Sequence, residues 1–364
     1  MAIFKENAPH LRRKASVTRM MVDVLIAIAP TLIFSFVVYG LSALWVYLIS
    51  VFTMIGAEFL ACGIQNKFNF KKPGVFGANN ILTASISAVI YMLIMPAGAP
   101  LYAVAIGALA GIVLGKLVFG GLGSNIFNPA AVGMLFAKVC FGSQYAKNVP
   151  TWYYTVADVS ISPTVLTNTA DSGLNGLISN MGNSNLFDMF LGRMYGTLGE
   201  VFSITIIIGG VYLLIRRSAD FRVMLPYLGG VALFSLIAGL GFFAVDRVTN
   251  PFQFMLFSLL SGGVLFGGVF MLTDPVTSPI NSPSRIIYAL VAAVFTIFIR
   301  LFAALPEGVG FSILIANMVA CVLDHYEWSS SKYSQWKIIT MALLVIIPAA
   351  VIFLVIRFGG VYHA

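Results

Sequence analysis

Two stretches of the chain, "MLIMPAGAP" (92–100) and "MLTDPVTSP" (271–279), share the pattern M-L-x-x-P-x-x-x-P. Each closes an apolar run. Each is followed by a second related stretch, "GKLVFGGLGSNIFNPAAVGML" (115–135) and "IRLFAALPEGVGFSILIANMV" (299–319). Both of these contain a basic residue, an apolar patch, a turn and a short segment with an Asn. The repetition predicts an internal duplication. Chance similarity between Gly- and Pro-rich ends of membrane helices is the alternative explanation.

Composition places the chain among polytopic membrane proteins. Of its 364 residues, 59% are hydrophobic and only 9% are charged, whereas about a quarter of the residues of a soluble protein are charged. The formal charge of +8 comes from basic residues at the ends of apolar runs, where they act as topology signals. We therefore predict contact with a lipid bilayer and no binding to nucleic acid.

Eleven apolar runs are long enough to be spans or short, broken spans. They lie near 17–40, 42–64, 79–95, 101–119, 127–142, 197–215, 223–244, 252–272, 286–304, 309–323 and 338–356. Lys and Arg between these runs place the N-terminus in the cytoplasm and the loop 143–196 outside it. The eleventh span would place the C-terminus outside, and Arg357 near that end argues against this orientation.

The predicted fold is therefore an all-α, channel-like polytopic protein of 10–11 transmembrane helices. Two five-helix units with short or broken helices form an inverted repeat, at 1–142 and 197–327. An extracytoplasmic loop, 143–196, separates the units, and a C-terminal segment, 328–364, adds one more helix.

Charged side chains inside spans are expensive in hydrocarbon and mark candidate functional positions. Asp23 and Glu58 either line an ion path or pair with neighbouring bases. Lys116 is expected to extend toward the membrane surface, and Arg300 to have an anionic partner within the bundle. Three isolated cysteines are expected to be small buried residues and predict no metal site: Cys62, Cys140 and Cys321.

Two helix-breaking loops contain candidate cofactor-binding residues. "GGLGSNIFNPAA" (120–131) includes Asn125 and Asn128 and leaves backbone N–H groups available for an anion or the edge of a flavin ring. "TDPVTSPINSPSR" (273–285) begins with Thr273 and Asp274. Either loop is otherwise simply a turn.

The polar stretch "DVSISPTVLTN" (158–168) lies within the predicted external loop. Pro163 favours an extended conformation at Ser162, so a hydroxyl here is accessible to the cleft of a modifying enzyme. The alternative is a loop that is polar only because it is exposed.

Taken together, "GGLGSNIFNPAAVG", "TDPVTSP" and the loop beginning at Asp158 resemble one family over nearly the whole chain. The family is the D subunit of the Rnf ferredoxin:NAD+ oxidoreductase complexes, homologous to the B subunit of the sodium-pumping NADH:quinone reductase. Its D-x-x-S-G-A-T segment carries FMN on the last Thr through a phosphoester bond made by a flavin transferase. Here the matching residues run from Asp158 to Thr164, with Ile161, Ser162 and Pro163 replacing the usual Ser, Gly and Ala. Thr167 is a second acceptor candidate.

The resemblance implies a flavin-carrying subunit of a redox-driven pump in a bacterial or archaeal cytoplasmic membrane. Covalent FMN on Thr164 would relay electrons between ferredoxin and NAD+ while the complex, built with other Rnf subunits, moves Na+ or H+. A second flavin, such as riboflavin, would be held without a covalent bond, and no residue would act as a catalytic group. The rival hypotheses are a non-redox channel or secondary transporter and a purely structural anchor.

Overall fold

The computed structural model describes residues 17–67, 76–121, 123–145, 178, 186–192, 196–261, 263–303, 308–325 and 330–358. Every regular element in these ranges is helical, which confirms the predicted all-α class. The helices in chain order are α1 Val17–Tyr39, α2 Leu41–Gln65, α3 Ala78–Ile94, α4 Leu101–Gly115, α5 Pro129–Tyr145, α6 Leu186–Leu191, α7 Ser203–Arg216, α8 Phe221–Phe243, α9 Pro251–Leu260, α10 Val264–Phe266, α11 Ser282–Phe302, α12 Val309–Leu323 and α13 Gln335–Phe358.

A helix or a bent helix pair covers each of the eleven predicted spans. Among the described residues, six helices are long and apolar enough to cross a membrane, and the bent pair α9–α10 makes a seventh. Four shorter apolar helices occupy the remaining predicted positions: α3, α5, α7 and α12. The polytopic membrane class is therefore confirmed, and α13 has the length and composition of a span.

The predicted span at 252–272 differs from a continuous helix. It is a broken span made of α9 and α10, which meet at an angle of 60°. Helix α10 continues as a π-helical turn, Gly267–Met271. Gly263 adopts a φ of 70° at the break, a left-handed conformation that glycine takes without steric penalty. A hydropathy window does not detect such a break because the flanking residues stay apolar.

The same helix pairings recur in the two halves of the chain. In the first half, α2 packs on α3 and α4, and α4 packs on α5. In the second half, α8 packs on α9 and α11, and α11 packs on α12. The pairs thus correspond in chain order: α2 corresponds to α8, α3 to α9, α4 to α11 and α5 to α12.

Counterpart helices also meet across the junction of the halves, α1 with α7 and α5 with α12. Asp23 near the start of α1 contacts Arg216 at the end of α7, and Thr31 further along α1 contacts Thr205 near the start of α7. Helices α1 and α7 are therefore antiparallel. Antiparallel packing of a helix on its own counterpart is what an axis in the membrane plane requires, which supports the proposed inverted repeat.

Helices α4 and α5 approach closely because α4 presents glycine at every fourth residue. A methyl group on Gly111 would lie 2.5 Å from the Pro129 carbonyl oxygen, and one on Gly115 would lie 2.8 Å from the Pro129 Cα. Small residues at this spacing let two backbones touch in a membrane, where apolar burial alone does not drive helix association. The contact brings the end of α4 against the start of α5.

Candidate functional site

A cavity of about 300 Å³ lies where the two halves meet. Helices α1 and α3, the end of α4 and the loop before α5 line it from the first half, while α7, the π-helical turn and the loop 273–276 line it from the second. The volume is at the lower end of the range for small-molecule sites, about 300–1,000 Å³. Its apolar walls include Met20, Met21, Ile86, Ile90, Leu213 and Phe270.

All four loop residues predicted to bind a cofactor line this one cavity: Asn125, Asn128, Thr273 and Asp274. Two loops that lie about 150 residues apart in sequence are thus brought together at one site. Whether these residues bind a cofactor stays a prediction, but their convergence on a ligand-sized space agrees with it.

Asn128 joins the two halves beside the cavity. Its side-chain oxygen accepts from the Ala130 N–H at 3.0 Å, which caps α5 just before Pro129, the first helical residue. Its Nδ2 donates to the Met271 carbonyl at 3.3 Å, at the end of the π-helical turn. One side chain, 4% exposed, therefore starts α5 and holds it against the broken span.

The loop after the broken span is held by its own side chains. The Thr273 hydroxyl donates to the Val269 carbonyl at 2.5 Å, and the Asp274 carboxylate accepts from the Val276 N–H at 3.2 Å and from the Thr277 hydroxyl. Burial raises the pKa of the Asp274 carboxyl above its usual 3.8, against the opposing effect of these two hydrogen bonds. An acidic side chain is thus held at the cavity wall.

The expectation that Lys116 extends toward the membrane surface is wrong. Lys116 is only 2% exposed and lines the cavity. Its ammonium lies 2.9 Å from the carboxylate of Glu58, which is 1% exposed, and it donates to the Thr83 hydroxyl at 2.9 Å. Burial of a basic side chain is tolerated when a carboxylate pairs with it, so the partner on α2 explains the position of Lys116. No short-range pattern relates residues 58 and 116.

Asp23 also lies just behind the cavity wall. Its carboxylate accepts from Arg216 at 3.0 Å, from the Tyr212 hydroxyl at 3.3 Å and from the Ser218 hydroxyl at 2.7 Å. Ser218 lines the cavity, whereas Asp23 is not among the lining residues. Asp23 and Glu58 therefore take the second of their two predicted roles, pairing with bases. Participation of either residue in an ion path stays a prediction.

One further expectation needs correction and another stays untested. The Arg300 guanidinium donates to the backbone carbonyls of Ser258 and Ser261, at 2.7 and 2.8 Å. These carbonyls end α9, where the helix dipole is negative. An anionic side-chain partner of Arg300 stays a prediction. Of the cysteines, Cys62 is buried, but Cys140 and Cys321 lie exposed on helix surfaces.

The predicted covalent flavin site falls outside the described residues, and with it Asp158, Ser162, Thr164 and the alternative acceptor Thr167. The helix that leads toward this segment is nevertheless described. Helix α5 begins at the cavity with Pro129 and runs away from it to Tyr145. Its regular part, 129–142, is about 20 Å long at 1.5 Å per residue.

The fold and the cavity together define a multi-pass membrane protein with a ligand-sized site between its two halves. The model of the NQR2, RnfD, RnfE family matches residues 4–333, and the chain belongs to this family.

Relatives of the chain come from two kinds of complex. The chain is 30% identical over 327 residues to the D subunit of the proton-translocating ferredoxin:NAD(+) oxidoreductase complex of Clostridium ljungdahlii, covering 88% of this chain and 93% of that one. It is also 30% identical to the D subunit of the Na(+)-translocating ferredoxin:NAD(+) oxidoreductase complex of Acetobacterium woodii over 322 residues, covering 88% and 92%. The B subunit of the Na(+)-translocating NADH-quinone reductase of Chromohalobacter salexigens is 36% identical over 244 residues, 66% of this chain and 57% of that protein.

Proposed function

We propose that this chain is the flavin-carrying membrane subunit of a redox-driven cation pump of the ferredoxin:NAD+ oxidoreductase type. Family membership over residues 4–333 indicates the kind of complex. The observation that carries the proposal for the chain itself is the cavity between the halves, lined by the four residues predicted from the sequence to hold a cofactor. Other subunits of the complex would be its partners in the cytoplasmic membrane.

The cavity suits a flavin held without a covalent bond. An isoalloxazine ring has an apolar edge and a polar edge, and the lining contains side chains of both kinds. Methionine, leucine and phenylalanine side chains are apolar, and Lys116, Asn125, Asn128, Thr273 and Asp274 carry donors and acceptors. When bound, a flavin supplies one- and two-electron chemistry. These side chains would orient the ring, and the apolar walls would exclude water.

A second flavin, FMN, is proposed on Thr164 through a phosphoester bond made by a flavin transferase. Asp158 and Ser162 would belong to the segment that the transferase recognises. The basic residues between spans predict that the N-terminus is cytoplasmic and that this segment is external. Since α5 leads away from the cavity toward this segment, the two flavins would lie at opposite ends of the bundle, and the chain would relay electrons between the membrane faces.

Cation transport is proposed to follow from the change of charge that electron transfer brings to the cavity. The relatives differ in the ion they translocate, so the family leaves both Na+ and H+ open. Asp23 and Glu58 remain candidates for an ion path, and each would have to exchange its present basic partner for the ion.

In-gel flavin fluorescence of the denatured chain tests the proposal. We expect fluorescence that survives SDS, requires coexpression of the flavin transferase and disappears in Thr164→Ala. Thr167→Ala is the matched control, because it removes the neighbouring hydroxyl and should leave the band bright. Acid extraction of the folded Thr164→Ala protein should still release one flavin, which corresponds to the cavity site. A dark band, with a transferase shown to be active on another substrate, would favour the channel or transporter hypothesis instead.

A further inference from the structure

We infer that Lys116, held in place by Glu58 and Thr83, makes the cavity bind an electron-rich ligand more tightly than its electron-poor form. The inference rests on the proposed function, since the ligand in question is the non-covalent flavin. It assigns to three residues of this chain the task of setting the reduction potential at the site.

Hydrogen-bond geometry leaves Lys116 free to act on a ligand. An ammonium group has three N–H donors. One is donated to the Thr83 hydroxyl at 2.9 Å, and the ammonium forms an ion pair with the Glu58 carboxylate at 2.9 Å. Because Lys116 also lines the cavity, a ligand there can accept a further N–H. Because Gly115 packs directly on Pro129, residue 116 lies beside the loop that contains Asn125 and Asn128.

The ion pair has a defined direction relative to the cavity. Lys116 and Thr83 are lining residues, whereas Glu58 is not. Glu58 lies behind the lysine, where Asn80 donates to its other carboxylate oxygen at 3.2 Å. Asn80 in turn accepts from the Gly77 N–H at the start of α3. The cavity therefore faces the positive end of a buried dipole whose negative end is fixed to the helices behind it.

No other charged lining residue among those described lies on the same side of the cavity as Lys116. Among the described lining residues, Lys116 is the one cationic side chain and Asp274 the one acidic side chain. Asp274 comes from the opposite half of the chain. Asp23 lies behind Ser218 and is paired with Arg216. A ring in the cavity thus has a cation on the side of α4 and a carboxyl on the side of the broken span.

A fixed cation raises the reduction potential of a ligand that gains negative charge on reduction. Reduction and binding are linked, so a site that holds the reduced ring more tightly than the oxidised ring shifts the midpoint potential upward by the same free energy. In a spectroelectrochemical titration, the electrode supplies two electrons and the buffer supplies the protons. The two-electron potential of the ring therefore reports directly on the charge at residue 116.

The test compares Lys116→Met/Glu58→Gln with Lys138→Met in the full chain carrying Thr164→Ala, so that only the cavity flavin is observed. The double change removes both charges and leaves no unpaired carboxylate in the bundle. Lys138→Met makes the same lysine substitution on α5 at a residue outside the cavity lining. Potentials come from a spectroelectrochemical titration, and flavin content comes from acid extraction.

We expect the double variant to shift the cavity flavin to a more negative potential and Lys138→Met to leave it unchanged. A tenfold loss of preference for the reduced form corresponds to about 30 mV for a two-electron couple. Should the double variant fail to fold, the single variant Glu58→Gln provides the test. It keeps the Lys116 cation and removes the carboxylate that balances it, so it should shift the reduction potential of the cavity flavin upward.

Bound flavin with an unchanged potential in the variant that folds would overturn the inference and leave the proposed function standing. Equally weakened binding of the oxidised and the reduced flavin would also overturn the inference, since Lys116 would then bind the ring without favouring either redox form. Absence of any extractable flavin from the Thr164→Ala parent would instead overturn the proposed cavity site itself.

Discussion

Asn128 shows how one side chain can serve a helix cap and a contact between the halves at once. Asn250 is a second asparagine that precedes a proline and caps a helix. Its side-chain oxygen accepts from the Phe252 N–H at 3.0 Å. Asn250 is exposed and its side chain acts as a cap, whereas Asn128 also donates to Met271. The two residues therefore allow the cap and the bridge to be separated experimentally.

Asn128→Ser is expected to destabilise the protein by about 1 kcal/mol, the usual net value of one hydrogen bond, because serine retains the cap but does not reach Met271. Asn250→Ser should be close to neutral, since serine and asparagine cap helices about equally well. Thermal unfolding of the detergent-solubilised protein measures both. Equal losses of stability in the two variants would show that the bridge to Met271 contributes nothing.

Residues that mark a helix break could be located from local sequence, and contacts that depend on distant partners could not. Asn125, Asn128, Thr273 and Asp274 stand in Gly- and Pro-rich loops that break helices, a signal visible in a single sequence. The sequence alone places Lys116 at the membrane surface, because its carboxylate partner lies on another helix. Ser218 is not predicted, although its position just after Arg216 and Arg217 at a helix end is an available signal.

At the scale of helices, the spacing of glycines in "GALAGIVLG" (107–115) determines how closely α4 and α5 pack. Gly111 faces the Pro129 carbonyl and the Gly133 backbone. Since both neighbours are backbone, neither can rotate away from an added methyl group. The spacing is readable from the sequence, but its partner surface, Pro129 and Gly133, is not.

Gly111→Ala is expected to destabilise the protein by about 1–3 kcal/mol through overpacking. It should also weaken retention of the flavin proposed for the cavity, because α5 begins beside Asn128. Gly56→Ala on α2 is the matched control, since nothing lies within 4 Å of its added methyl group. It should be neutral or slightly stabilising, as alanine favours the helix more than glycine. A Gly111 variant as stable as the Gly56 variant would refute close packing at this point.

The broken span marks the limit of prediction at this scale. Hydropathy correctly locates an apolar span at 252–272, and the small residues "SGG" at 261–263 are typical of a helix break. The stabilising element is Arg300, whose guanidinium satisfies two carbonyls at the end of α9. Carbonyls at a helix end inside a membrane need such a partner because no water is available to them. That partner comes from α11 and is not evident from local sequence.

Over the whole molecule, the two halves are held together partly by Asp23. This carboxylate on α1 binds three side chains from α7 and the turn after it, which belong to the other half. The repeated motifs predict two related halves, but they do not indicate which helices join them. The junction depends on contacts between residues nearly 200 positions apart, beyond the range of any periodicity.

Asp23→Asn is expected to lower the melting temperature, because it removes the ion pair with Arg216 while retaining an acceptor for Ser218. Asp246→Asn makes the same chemical change at a residue outside this junction with a φ of 58°, a conformation that asparagine tolerates. It should leave the melting temperature unchanged. If Asp23→Asn behaved like the control, the junction would not depend on this charge.

A site shared between the halves also has a consequence for biosynthesis. Its lining begins at Val17 and is complete only at Val276, so no ribosome-bound intermediate that stops before the second half contains the whole pocket. The stretch that holds Thr164 leaves the ribosome much earlier. The pocket is therefore complete only after both halves of the chain have been synthesised.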